Sequence, residues 1–393
     1  MNIMDDVSEH CIGCGACACS CPKQAINMVF KDGFLYPTVD KNKCVECGIC
    51  LKECPAVNRN ECYEISEAYV AVTKNDKVYE SSTSGGVFAE IAIYFLRKYS
   101  AVICGAAWTS DYMVEHILID KEEELNKIQG SKYVQSRTDK VFPEIKELLK
   151  FGKHVLFSGT PCQIAALKDF LKESYCNLLC VDIVCHGVPS PQMLQNHIKK
   201  LTKSEGGYNV TFRTKDKYDR YGFNLVLSQG TKEKMLISGN IDPYFRLFIN
   251  NYIFREACYS CKYACSMRIG DITIGDCGNS EIYIERLPYR TLSTVYPITD
   301  RGKKVWEEIK VSFDFLTVNK DIEIAANSQL TRPSVRPKER DFIYSSNEDI
   351  SLLAQRCLGK VTNRIKMKER VKRIIPEKKR KRLVRTLKRV IGK

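Results

Sequence analysis

At 393 residues with 20 cysteines, the chain is long enough for two or three domains and too long for a small disulfide-stapled scaffold. Hydrophobic residues make up 44% and charged residues 27%, which excludes a disordered chain. The net charge of +14 resides in the tail: residues 360–393 hold 16 Lys/Arg and 2 Asp/Glu, while residues 1–359 balance 45 basic against 45 acidic side chains. A whole-protein basic surface for nucleic acid is therefore excluded.

The opening segment is acidic and has no apolar signal core. The most hydrophobic run, Val87–Leu96, is interrupted by Glu90 and falls short of the ~20 apolar residues a bilayer span needs. A cytoplasmic chain is expected, one whose thiols stay reduced and whose cysteine clusters mean metal.

In chain order, the first feature is a repeat. Cys11, Cys14, Cys17, Cys21 and Pro22 recur as Cys44, Cys47, Cys50, Cys54 and Pro55, each offset by 33 residues. Asp32-Gly33 lies between them and signals a hairpin. From residue 66 the texture changes. Ala68–Thr73 reads as a strand, Gly86–Lys98 as a helix, Val102–Trp108 and Glu115–Ile119 as strands, and Asp139–Lys150 as a helix ended by Gly152. His154–Phe157 reads as a short buried strand that runs through Ser158-Gly159-Thr160-Pro161 into a helix at Cys162–Lys172. Leu178–Val184 is a further strand, followed by a helix at Pro191–Lys200. Tyr208–Thr214, Phe223–Ser228 and Lys234–Ile237 read as antiparallel and peripheral, Pro243–Asn250 as a helix, and Asp271–Gly275 as another strand.

This order predicts an α+β ferredoxin-like module over 1–60, too small to bury a core alone. An α/β domain with a mixed, largely parallel sheet and covered faces follows, in two parts over 66–150 and 151–340. A linker and a basic helical tail occupy 341–393.

The repeated C-x2-C-x2-C-x3-C-P motif supplies four thiolates on turns tight enough to wrap a cubane, with small residues (Gly13, Gly15, Ala16, Gly48) admitting backbone N–H groups to the sulfurs. In two-cluster modules the fourth cysteine of each motif serves the other cluster. One 4Fe–4S cluster is thus expected on Cys11, Cys14, Cys17 and Cys54, and a second on Cys44, Cys47, Cys50 and Cys21. Structural zinc is the rival reading, but zinc ribbons rarely combine three cysteines at this step with Cys-Pro. Cys19 is an extra thiol inside the first motif.

A third centre is expected on Cys162, Cys185, Cys258 and Cys261. The last two form a C-x2-C pair, with Cys265 nearby. Cys162 and Cys185 follow strands, where an open α/β sheet binds ligands. Thr160 as N-cap and Pro161 at the first helical position would put Cys162 at the positive end of its helix. A redox-active thiol or plain packing are the alternatives. Cys104, Cys176, Cys180, Cys277 and Cys357 carry no motif and read as small core hydrophobes. Cys62 is unassigned.

Clusters move single electrons, so a two-electron substrate calls for a flavin or an external partner. Gly13-x-Gly15 lies inside a cluster loop with no preceding strand and is no dinucleotide motif. Ser81–Phe88 opens a helix and could receive a phosphate; Gly130–Ser136 adds a cation and an aromatic ring.

Together these blocks resemble the coenzyme F420 hydrogenase/dehydrogenase beta-subunit family, in the form fused to an N-terminal two-cluster ferredoxin. The matching segments are Ser84–Phe88, Gly130–Ser136, Ser158–Gln163, Val181–Ser190, Cys258-x2-Cys261-Lys262-Tyr263 and Arg268–Asp276. The resemblance implies FAD with a cluster near it, and flavin contacts from Ser84, Gly85, Gly86 and Val87, from Ser131, Lys132, Tyr133 and Gln135, and from Gly159, Thr160 and Gln163. Lys132 would suit a diphosphate or the electron-rich side of the ring. The family commonly continues Gly-Asp with Phe-Trp-Gly; this chain has Cys277-Gly278-Asn279, which changes the packing there. Bacterial members of this form often occur among surface-polysaccharide genes.

In the tail, Val361, Ile365, Val371 and Ile375, then Leu383, Leu387, Val390 and Ile391, fall near helical spacing among Lys/Arg. Such a cationic amphipathic segment suits an anionic membrane face, placing the chain peripherally on the inner side of the cell membrane; a solvated tail or an acidic partner is the alternative. The function expected is an oxidoreductase that exchanges electrons with a ferredoxin-type redox partner through clusters and FAD, with His186 as candidate proton donor. The alternatives are an electron-transfer subunit docking on a catalytic subunit, and a true coenzyme F420-dependent reductase.

Overall fold

The computed structural model describes residues 9–383 except 59, 216, 217, 220, 221, 231 and 289. Leu387, Val390 and Ile391 of the expected tail stripe lie outside the described residues. The repeat region folds around a hairpin, β1 (Ile26–Lys31) and β2 (Phe34–Val39). Its two-residue turn is Asp32-Gly33, both at positive φ (50° and 77°), the conformation that matches strand twist in tight hairpins. Short helices at Ala16–Ser20 and Ile49–Lys52 follow the first cysteines of each motif. Gly15 and Gly48, equivalent in the repeat, begin them at φ 76° and 72°, a backbone that favours glycine.

The chain leaves the module through β3 (Tyr63–Glu64), which later pairs with β12 (Met267–Arg268). The main sheet holds β4 (Ala68–Thr73), β5 (Val102–Trp108), β6 (Val114–Ile119), β7 (Val155–Gly159), β8 (Leu178–Ile183), β13 (Ile272–Asp276), β14 (Ser293–Pro297) and β15 (Phe313–Val318), in the order β15-β4-β14-β13-β8-β7-β5-β6. Neighbours β13, β8, β7 and β5 are parallel, and the outer pairs are antiparallel. Five of the eight strands therefore point one way.

Successive side chains of the central strands enter opposite cores. On β7, Leu156 packs beneath the helices Val87–Tyr99 and Asp300–Ile309, whereas Val155 and Phe157 pack beneath Phe142–Lys150 and Pro161–Leu171. Both faces are covered, so these strands are apolar throughout. A separate antiparallel sheet, β9 (Asn209–Thr214), β10 (Gly222–Gln229) and β11 (Lys232–Ser238), builds a third core with the helix Pro243–Ile249 and the C-terminal helices.

Two features depart from expectation. Strand β14 occupies a stretch with no period-2 signature; Ser293–Pro297 is buried at all five positions, so nothing alternates. Cys176 is exposed rather than packed in the core, because it sits in the surface turn leading into β8. Cys104 and Cys180 are core residues, Cys277 is buried and Cys357 is partly so.

The basic tail begins with the helix Asn363–Ile374. It docks on β11 and the turn after it through Glu369, which accepts hydrogen bonds from Ser238 Oγ (2.7 Å) and Asn240 Nδ2 (3.0 Å). Met367, Ile374 and Leu383 are exposed. Among the described residues no helix is long and apolar enough to cross a membrane.

One buried ion pair ties the carboxyl end of β8 to the segment that enters β13. Arg268 donates to Asp182 Oδ1 at 2.9 Å, and Asp182 Oδ2 accepts the Gly270 N–H at 3.0 Å; both side chains are nearly inaccessible. Breaking such a pair strands a buried charge and costs about 3–5 kcal/mol. Asp182→Asn should lower the thermal unfolding midpoint by roughly 10 °C; an unchanged midpoint would show that the pair holds nothing together.

Candidate redox site

The module gathers its cysteines across the repeat. One small cavity is lined by Cys11, Cys14, Cys17 and Cys54, and another by Cys21, Cys44, Cys47 and Cys50. The fourth cysteine of each motif has crossed to the other group, because the two short helices pack together and bring each Cys-Pro step beside the opposite loop. Cys14, Cys17 and Cys54 are raised above the ordinary thiol value by burial, with neighbouring thiols repelling a second negative charge. Cys19 is turned away, its Sγ 3.0 Å from the Asp139 carbonyl.

The two cradles differ in exposure. Cys11, Cys14, Cys17 and Cys54 are buried, whereas Cys47 is exposed. The first cradle faces the main domain: Thr138 Oγ1 donates to the Cys14 carbonyl at 2.8 Å, Gln135 Nε2 to the Ile12 carbonyl at 3.1 Å, and Arg255 Nε to the Cys11 carbonyl at 2.5 Å. Tyr263 reaches back on the other side, its hydroxyl 2.9 Å from Asn60 Oδ1.

Cys162, Cys185, Cys258 and Cys261 converge, although they lie on three separate segments. Cys162 stands in the first turn of Pro161–Leu171, with Thr160 as N-cap and Pro161 at the first position; Cys185 follows β8; Cys258 and Cys261 flank the turn after the helix Pro243–Ile249. Burial pushes Cys162, Cys185 and Cys258 up to about 12, and mutual repulsion among the four adds to it. Cys261 is raised for the same first reason. Among the described residues no three His, Cys, Asp or Glu side chains close on a point the size of one metal ion. Cubane ligands do not meet at a point either, since each thiolate binds a different iron. Four gathered, unbridged thiols are the donor set iron–sulfur clusters use.

Directly in front of this quartet, at the carboxyl ends of β7, β8 and β13, lies a cavity of about 320 Å³. Cys185 and Thr160 line it, and Thr160 Oγ1 is 3.1 Å from Cys162 Sγ. Ser84, Gly86, Val87, Ser131, Lys132, Tyr133, Gly159, Gln163 and His186 also line it. The first N–H groups of Val87–Tyr99 have no intrahelical partner, and Val87, Phe88 and Ala89 face the cavity. Two expected residues do other work. Gly85 N–H donates to Ser293 Oγ at 2.8 Å, which closes the loop on the sheet. Gln135 turns to the module, as described above.

The cavity wall has three notable titratable groups. Lys132 keeps part of its surface open to the cavity, yet the protein crowding it lowers its pKa to about 7; its ammonium meets only the carbonyls of Gln129 and Gly130. His186 is lowered by burial, which disfavours the charged ring, and its Nδ1 lies 2.6 Å from Gln329 Nε2. His116 was not foreseen. Burial lowers it to about 4, and its Nε2 lies 3.0 Å from the Ser158 carbonyl. Its signal was there: in Val114-Glu115-His116 the alternation turns a polar residue inward. Arg213 was also missed; it bonds both Tyr133 OH and Asp276 Oδ2 at 2.9 Å.

Lys132 should lose its proton near pH 7 when the cavity is empty, being charged below that pH and neutral above it. Carbon-13 NMR of reductively methylated protein should show one lysine titrating near 7, absent in Lys132→Arg; a Lys132 midpoint above 10 would contradict the burial.

Three family models match the chain. A family model for a 4Fe-4S dicluster domain matches residues 10–58. Models for the N-terminal and C-terminal parts of the coenzyme F420 hydrogenase/dehydrogenase beta subunit match residues 68–142 and 152–321. No curated protein matches the chain. Among solved structures, a chain of the xenon-derivatised F420-reducing NiFe hydrogenase complex from Methanosarcina barkeri is similar, with 15% identity and a TM-score of 0.49 over 69% of this chain and 92% of that one. The chain is an iron–sulfur protein that belongs to the coenzyme F420 hydrogenase/dehydrogenase beta-subunit family, with a 4Fe-4S dicluster domain ahead of the family's two domains.

Proposed function

We propose that the chain is an iron–sulfur flavoprotein oxidoreductase that exchanges electrons with a ferredoxin-type partner and acts on a substrate beside a bound FAD. Cys21, Cys44, Cys47 and Cys50 would hold the outer cluster, Cys11, Cys14, Cys17 and Cys54 the inner one, and Cys162, Cys185, Cys258 and Cys261 a third. When bound, the clusters supply single-electron carriage and the flavin supplies the change between one- and two-electron chemistry.

The observation that carries the reading is the adjacency of the third quartet and the cavity. Cys185 belongs to both, and Thr160 touches both. Buried thiols of a merely structural kind have no reason to gather at the carboxyl ends of parallel strands, the place where open sheets bind ligands. The outer cradle, with its exposed Cys47, is the side open to a redox partner, and the inner cradle, held against the main domain, stands between it and the third quartet.

This chain's own residues then have separable tasks. The N–H groups of Val87–Ala89 and the Lys132 ammonium offer a diphosphate its positive partners. An anion beside Lys132 would favour its charged form. Tyr133 is held by Arg213 and stacks among Phe223, Phe245 and Phe248, which keeps the cavity wall stiff. His186 lines the cavity beside Cys185, and Gln329 at its Nδ1 fixes the orientation of the ring. The carrier reading, with no substrate site, leaves a cavity of this size without a use.

Oxygen-free purification with iron, sulfide and flavin analysis tests the proposal. The expected result is about twelve irons and one flavin per chain, with Cys185→Ser losing about four irons. About eight irons in the native chain would remove the third centre; colourless or zinc-only protein would remove the whole reading.

A further inference from the structure

Arg255 stands out as a buried cation with no counter-ion among the described residues. Its side chain is 1% exposed. All three of its hydrogen bonds go to neutral acceptors: the Cys11 carbonyl from Nε at 2.5 Å, the Leu35 carbonyl from Nη2 at 2.9 Å, and Gln135 Oε1 from Nη1 at 3.1 Å. Its guanidinium lies 4.1 Å from the Tyr36 ring centroid, which offers only a quadrupole. The neighbouring Glu256 is engaged by Arg336 and Arg340. Arg268, the other fully buried arginine, is neutralised by Asp182. The contrast is informative because an ionised group in the interior is expensive unless an opposite charge lies near.

The surroundings supply that charge only when loaded. On one side Arg255 holds the Cys11 loop by its carbonyl. On the other, its own carbonyl accepts the Cys258 N–H at 2.9 Å, and its charge favours thiolate at Cys258. Gly13 makes the approach feasible: a Cβ there would come within 2.7 Å of Arg255 Nη1 and 2.5 Å of Gln135 Nε2. A cubane with four thiolates is a net anion, and it gains a further negative charge on reduction.

We infer that Arg255 is a positioning residue that couples the inner module cradle to the third one and raises the reduction potential of both. The inference rests on the cluster assignments proposed above. The reduction it modulates is simple: one electron enters a cluster from the reductant, no bond breaks, and Arg255 keeps its proton throughout.

The test is an anaerobic EPR-monitored redox titration of the full chain and its variants Arg255→Gln and Arg255→Lys. Arg255→Gln should make the inner and third clusters at least tenfold harder to reduce, 59 mV for a one-electron step, while leaving the outer cluster unshifted. Arg255→Lys, which keeps charge and loses the fork, should fall between the two. If Arg255→Gln fails to fold, Arg255→Lys and Gln135→Met decide: Gln135→Met removes a bridging bond but keeps the cation, and should leave the potentials near native. Midpoints that ignore Arg255, or a uniform shift of all three clusters, would overturn the inference while the cluster assignment stands. A native chain that binds no iron would overturn both.

Discussion

The structure depends on the cost of burying sulfur next to sulfur. A thiol in the interior is a tolerable small hydrophobe, but a group of thiols poised to ionise together repel one another in a medium that screens poorly. Cys162, Cys185 and Cys258 show this plainly, since burial and their neighbours push them up to about 12. A fold that gathers such thiols needs positive charge nearby, and Arg255, which holds the Cys11 carbonyl and whose own carbonyl accepts the Cys258 N–H, places one there. The fold of the main domain follows from this need: strands β7 and β8 deliver Cys162 and Cys185, and the Asp182–Arg268 pair holds their ends in register with β13.

The same constraint explains how the module and the domain are joined. Three of the contacts between them are made by backbone carbonyls of the first cysteine loop, those of Cys11, Ile12 and Cys14, which accept from Arg255, Gln135 and Thr138. Carbonyls are what a cluster-binding loop has left over, because its N–H groups point toward sulfur. An interface built on them keeps the inner cradle against the domain and leaves Cys47 of the outer one exposed.

Much of this was legible in the chain itself. The doubled motif announced the module and even the exchange of Cys21 and Cys54, because a repeated loop with a terminal Cys-Pro step has one good way to close on its partner. Thr160-Pro161 announced the helix start that presents Cys162. What was not legible has physical reasons. Strand β14 hides because Ser293–Pro297 is buried on both sides and so lacks alternation. Arg255 hides because an arginine followed by Glu256 reads as surface charge until the fold removes its water. Gln135 looked like part of a flavin loop, yet one residue's rotation along an extended segment sends it to the module instead of the cavity.

The most direct measurement of the account is anomalous scattering from crystals grown without oxygen, recorded on both sides of the iron absorption edge. The account predicts iron density at three places: among Cys11, Cys14, Cys17 and Cys54, among Cys21, Cys44, Cys47 and Cys50, and among Cys162, Cys185, Cys258 and Cys261. Density confined to consecutive cysteines of one motif, or signal only at the zinc edge, would contradict it.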